Sequence, residues 1–166
     1  MNAVREPILG ALQALAIRYE LFEHPAVHTA DEAAIHWQAI SGAAVKNLFL
    51  RNKKGDRHYL VILGIDKQAD LRQLVKVIGD DRLSFGSPDR LQKYLGVTPG
   101  SVSPLGLIHD SGRAVRVIVD SDLRTAERLI FHPNDNTASL TISGADFVRF
   151  LEDRGNQVSV RYRLRR

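Results

Sequence analysis

Cysteine is absent from this 166-residue chain, which excludes disulfides, thiolate metal sites and a cysteine nucleophile. Long apolar runs are absent too, since no stretch approaches the roughly 18 residues that a membrane-crossing helix needs. The opening Met1-Asn-Ala-Val-Arg-Glu-Pro7 has no basic region followed by an apolar one, so the sequence predicts a cytoplasmic protein without a membrane partner. There is no internal repeat, low-complexity tract or linker. Six histidines are available as metal ligands, but none belongs to a His-Glu-x-x-His pattern, and His24 with His28 is an isolated pair ahead of a helix, so no metal site is expected. Neither Ser101 nor Ser103 lies in a Gly-x-Ser-x-Gly elbow, which argues against a serine hydrolase of that kind; an unfamiliar triad stays open at this level.

What is present fits one domain over residues 1–166, long enough to bury a substantial core. The formal charge is +4, which suits a polyanionic partner and many unrelated soluble proteins as well. Much of the excess lies in Arg161-Tyr-Arg-Leu-Arg-Arg166, readable as a last strand with arginines on its solvent face or as an RNA-binding arm.

Periodicity predicts α+β architecture with a mixed sheet. Val4, Ile8, Leu12 and Leu15 share one helical face, and residues 18–22 read as a strand. Thr29 and Glu32 form a capping box for a helix that carries Ala33, Ala34, Ile35 and Trp37 and runs to about Ile40. Residues 45–51 and 58–64 read as a hairpin central to the sheet. Asp70 precedes a helix that ends at Gly79, and residues 82–85 form a short strand. Ser87 caps a helix over residues 88–95 that has proline at its first position. Strands follow at residues 115–119, 128–131 and 139–142, and Ser143 caps a final helix ending at Gly155.

Three segments carry candidate chemistry. Pro99-Gly-Ser-Val-Ser-Pro104 is a rigid loop whose glycine and prolines suit it to present main-chain amides to a ligand or an oxyanion; the plainer reading is a helix-to-strand connection. Lys46, beside Asn47, starts an apolar strand and can pair with a phosphate or orient a ribose, or simply be solvated. His132 lies where a strand runs into Pro133-Asn134, positioned to meet a substrate amine or hydroxyl, or to pack in a wall. His36 and His58 read as surface residues.

These segments, in order, are KNLFLR (residues 46–51), RLSFGSPDRLQKYLGVTPGSVSPLGLI (82–108) and HPNDNTASLTI (132–142). The chain resembles the family of trans-acting prolyl-tRNA editing domains, which includes the YbaK proteins and the insertion domain of prolyl-tRNA synthetase, and within it the freestanding Ala-tRNA(Pro) deacylases (ProXp-ala). The likeness spans residues 19–155. It implies a mixed, mostly antiparallel sheet with a barrel-like core flanked by helices. It also implies hydrolysis of Ala-tRNA(Pro) by a positioned water that a tRNA ribose hydroxyl helps to activate, without a cofactor. Lys46 matches the lysine critical for deacylation in that family, with Asn47 beside it. Gly100 to Pro104 matches the loop that closes over the amino-acid side chain, so Gly100 joins Lys46 and Asn47 as a catalytic candidate. Ser101, Val102, Ser103, Pro104 and His132 are the substrate-binding candidates, whereas His24, His28 and His109 match less clearly. The implied partner is the acceptor end of tRNA(Pro) carrying a mischarged amino acid, with prolyl-tRNA synthetase or an elongation factor as further candidates. Alternatives are a sister deacylase for 2-aminobutyryl-, seryl- or cysteinyl-tRNA(Pro), and a noncatalytic tRNA-binding module.

Overall fold

A computed structural model describes residues 2–161. The chain forms α1 (Glu6–Ala14), β1 (Glu20–Glu23), α2 (Ala30–Trp37), β2 (Ala43–Arg51), β3 (His58–Gly64), α3 (Leu71–Ile78), β4 (Ser84–Phe85), α4 (Pro88–Leu95), β5 (Val115–Asp120), β6 (Arg128–Phe131), β7 (Ala138–Ser143), α5 (Gly144–Arg154) and β8 (Val158–Arg161). The sheet runs β1-β7-β6-β2-β3-β5-β8, with β4 added to β2. Four of the pairings are antiparallel, and the β2–β6, β3–β5 and β5–β8 pairings are parallel.

The helix starts follow local chemistry. The side chains of Thr29, Asp70, Ser87 and Ser143 each accept a hydrogen bond from an amide in the first turn of the helix they precede. Gly79, Gly96 and Gly155 close α3, α4 and α5 in the left-handed conformation. Between α4 and β5 the expected loop is wound into two 3₁₀ turns, Pro99–Ser101 and Pro104–His109.

The sheet is buried on both faces, which is what central strands demand. Val45, Phe49, Leu60 and Ile62 face the largest cluster, shared with α1, α4 and α5. Leu48, Leu50, Tyr59, Val61 and Leu63 face α3. Ala44 and Ile130 face α2, where Trp37 and Ile40 pack.

Several expectations shift. Helix α1 starts at Glu6, leaving Val4 about half exposed, and Ile35 on α2 points to solvent. His58 is not a surface residue but 3% exposed, because it begins a strand covered on both faces. His36 is half-buried and stacked on His24, with ring centroids 4.9 Å apart. The arginine tail contributes Arg161 to β8, which pairs with β5; residues 162–166 lie outside the described residues.

Candidate functional site

Strand β2 has two edges, and only one is fully occupied. Strand β3 pairs with it from Val45 to Arg51. On the other edge β6 takes Ala43 and Ala44, β4 takes Leu50 and Arg51, and Gly86 N–H bonds the Phe49 carbonyl. The stretch between, carrying Lys46 and Asn47, has no strand beside it on that edge among the described residues. Parallel strands that part in this way open a crevice beyond their last pair, the place where open sheets bind ligands.

The residues at this opening divide by strand alternation. Lys46 shares the face of Ala44 and Leu48; Asn47 shares that of Val45 and Phe49. The last β2–β6 pair is Ala44↔Ile130, and Lys46 and His132 each stand two residues beyond it, where the strands have parted. Lys46 is half-buried, and its ammonium makes no hydrogen bond or ion pair with any described residue. Asn47 is tied to the loop: its Nδ2 donates to the Val102 carbonyl at 3.3 Å, while its Oδ1 is buried without a partner.

The loop is shaped largely by its own bonds. Ser101 N–H reaches the Thr98 carbonyl, Ser103 Oγ accepts from Leu105 N–H, and Gly106 N–H bonds the Ser103 carbonyl. Ser101, Ser103 and Pro104 are buried, Val102 is half-buried and Gly100 is exposed. Gly106 permits the close approach to α4, since a Cβ there would lie 2.6 Å from the Leu95 carbonyl oxygen. Asn134, at φ +60°, braces the same junction by donating from Nδ2 to that carbonyl at 3.0 Å. A cleft of about 280 Å³ beside the loop is lined by Thr98, Ser101, Asn134 and Asn136 among others.

His132 lies on the α2 side. Its Nδ1 donates to the Ala138 carbonyl at 2.8 Å, which leaves Nε2 as the acceptor nitrogen. Burial lowers its pKa, the Ala138 bond opposes that shift, and neighbouring His24 adds to it. Sequence reasoning missed the network around it. Trp37 Nε1 donates to Ser139 Oγ at 2.8 Å, and that hydroxyl bonds His24 Nε2 at 2.9 Å. His24 Nδ1 donates to the Pro25 carbonyl, and the His24 and Trp37 rings lie 6.1 and 5.6 Å from His132. No spacing signals this group, because the β1–β7 pairing assembles it.

The structure thus joins Asn47 to Val102, and Lys46 and His132 each follow the last β2–β6 pair, Ala44 with Ile130, by two residues. It does not bring Lys46 or His132 into hydrogen-bond contact with Gly100, Ser101, Ser103 or Pro104. Among the described residues, no group of three His, Asp or Glu side chains is placed to hold a metal ion, and no helix is long and apolar enough to cross a membrane.

This architecture has close parallels. The prolyl-tRNA editing protein ProX of Acetoanaerobium sticklandii is 40% identical over 152 residues, covering 92% of this chain and 93% of that protein. The prolyl-tRNA synthetase associated domain-containing protein 1 of Bos taurus is 38% identical over 157 residues, 92% of this chain and 91% of its own. A crystal structure described as that of a candidate trans-editing enzyme for prolyl tRNA synthetase superposes with a TM-score of 0.74, at 24% identity over 100% of this chain and 99% of its own, and supports the fold. The aminoacyl-tRNA editing domain family model matches residues 24–150, which include the open edge of β2, the loop and His132; the chain belongs to that family.

Proposed function

We propose that this chain is a trans-editing deacylase that hydrolyses Ala-tRNA(Pro), with the acceptor end of tRNA(Pro) as its partner and prolyl-tRNA synthetase as the source of the error. The supporting observation is the unpaired edge of β2 beyond its last pair with β6, where Lys46 and His132 each follow by two residues and the loop is clasped to Asn47. Relatives that bear prolyl-tRNA editing names over nearly their whole length agree with it.

In this reading Lys46 supplies an unspent positive charge to the terminal ribose or its phosphate. His132, with its Nδ1 proton committed to Ala138, turns Nε2 toward the α-ammonium of the amino acid. Water adds to the ester carbonyl, the carbon–oxygen bond to the ribose breaks, and the water's proton ends on the ribose oxygen, assisted by the neighbouring hydroxyl. Ser101, Leu105 and Gly106 spend their amides inside the loop, so the developing oxyanion draws on the remaining amides between Gly100 and Ser103. The loop around Val102 and Pro104 limits the size of the side chain. Such a second sieve answers a physical need, because a pocket built for proline rejects a smaller side chain by only about 1 to 3 kcal/mol per methylene.

The test is the rate of deacylation of Ala-tRNA(Pro) and Pro-tRNA(Pro) by wild type and Lys46→Ala. Loss of the alanyl ester alone is expected, slowed by about 10²-fold or more in the variant. A stable alanyl ester would refute the proposal.

A further inference from the structure

At the far end of the same sheet face, two arginines converge. Arg51 ends β2 on the face of Asn47 and Phe49, and its guanidinium makes no hydrogen bond or ion pair with any described residue. Arg90, in the first turn of α4, is fixed from below: its Nη1 lies 3.0 Å from the Gly55 carbonyl oxygen and 2.7 Å from His58 Nε2. His58 is held in turn between Phe49 and Tyr94, with ring centroids 5.7 and 4.3 Å away. Accepting from a guanidinium requires the neutral imidazole, and both burial and the nearby Arg90, Lys93 and Arg51 keep the His58 pKa low.

Gly55, at φ +77° in the hairpin turn, marks where the cations meet. A Cβ there would lie 2.8 Å from Arg90 Nη2 and 2.9 Å from Arg51 Nη1. Two guanidiniums are therefore held well within a Debye length of each other, with donors to spare. The local carboxylates do not neutralise them. Asp56 bonds the Asn52 amide, Asp80 is engaged by Tyr59 and Arg57, Asp81 accepts from Lys53 N–H, and Asp89 makes no ion pair with any described residue. Like charges pinned together are costly unless an anion joins them, and paired guanidinium forks fit a phosphate.

We propose that Arg51 and Arg90 form a phosphate clasp for the RNA backbone of the acceptor end, an inference that rests on the editing function proposed above. Four residues of strand separate Arg51 from Asn47, roughly 13 Å. Helix α4 links the same two places, running from Arg90 to the Gly96 turn that leads into the loop. An RNA strand with its ester at the loop would reach the clasp about four stacked nucleotides back, at 3.4 Å of rise each. Lys93, over the Tyr94 ring, adds positive charge on this path.

The experiment is binding of an uncharged, fluorescently labelled acceptor-stem hairpin ending in CCA, read by anisotropy over a salt series. It compares wild type, Arg51→Gln, Arg51→Gln/Arg90→Gln, and Lys76→Gln, which removes an exposed charge from α3 on the other face. Arg51→Gln breaks no bond within the fold, so it remains informative if the double variant is unstable. The clasp predicts several-fold weaker binding for Arg51→Gln, about tenfold or more for the pair, and a salt slope reduced by about one per lost phosphate contact. Affinities and slopes equal to those of Lys76→Gln would overturn it. Competition by inorganic phosphate at the same phosphate concentration as RNA would overturn the RNA assignment in favour of a small-anion site. Because the hairpin carries no ester, the clasp can hold even where deacylation fails, and the reverse.

Discussion

Two lysines beside the central hairpin show how differently one fold treats the same cation. Lys67 follows β3 and is only 4% exposed, yet its ammonium is locked between Asp120 and Asp122. Burial disfavours its charge, but the hydrogen bonds to both carboxylates outweigh that and raise its pKa. Lys46, one strand earlier, is half-buried and pairs with no described residue. A fully compensated buried cation is architecture, whereas a cation left uncompensated at an unpaired strand edge is available to a ligand.

Exchanging the roles of these lysines gives the largest expected effect. Lys67→Met strands Asp120, which is fully buried, and should cost about 3–5 kcal/mol in chemical denaturation. The folded fraction should still deacylate at the wild-type rate. Lys46→Met should do the opposite, slowing deacylation by about 10²-fold or more while stability stays within about 0.5 kcal/mol. Similar stability losses in both variants would erase the distinction.

Ser139 lies between these extremes and sharpens the comparison. Its hydroxyl is fully buried and serves Trp37 and His24 at once. Ser139→Ala leaves the indole N–H and His24 Nε2 without their partner, a loss of about 1–3 kcal/mol. If the network positions His132 as well as supporting the fold, kcat should fall with KM nearly unchanged. Unaltered kinetics at the same stability loss would assign the group to architecture, with Lys67.

Much of this was legible in residue order. Helix caps such as Ser87 and Ser143 are short-range hydrogen bonds, so the side chain that makes each one announces it. The pairing of residues 45–51 with 58–64 follows from two apolar runs around a Gly-containing turn. His58 was misread because a polar residue at a strand end looks exposed until both faces of that strand are known to be covered. The tie from Asn47 to Val102 spans 55 residues, and the meeting of Arg51 with Arg90 over Gly55 depends on how α4 lies across the hairpin. Such contacts are products of packing, and no local pattern encodes them. Residue order therefore offered the candidate residues but not their arrangement, including the division of Lys46 and Asn47 between two faces.

The smallest expected effect is on pH dependence, because the causes acting on His132 partly cancel: burial lowers its pKa below the ordinary 6.5, while the bond to the Ala138 carbonyl raises it. In the unfolded chain His132 titrates near its ordinary value, so between the two values the unfolded state binds more protons than the native one. Stability should fall as pH drops from about 6.5 toward the lowered native value, and level off below it. His58 contributes with the same sign, since burial and its arginine neighbours also lower its pKa. Urea midpoints at roughly pH 7.5 and pH 5.5 should therefore decline for wild type and decline less for His132→Gln, which removes one of the two contributions. Deacylation at saturating substrate should persist below pH 6.5, because the neutral imidazole keeps its Nε2 acceptor there. An equal decline in both proteins would mean that the native pKa of His132 is not lowered, and an acid limb already complete at pH 6.5 would mean that His132 is charged there and cannot receive the ammonium of the amino acid, leaving Lys46 as the candidate on its face of the opening.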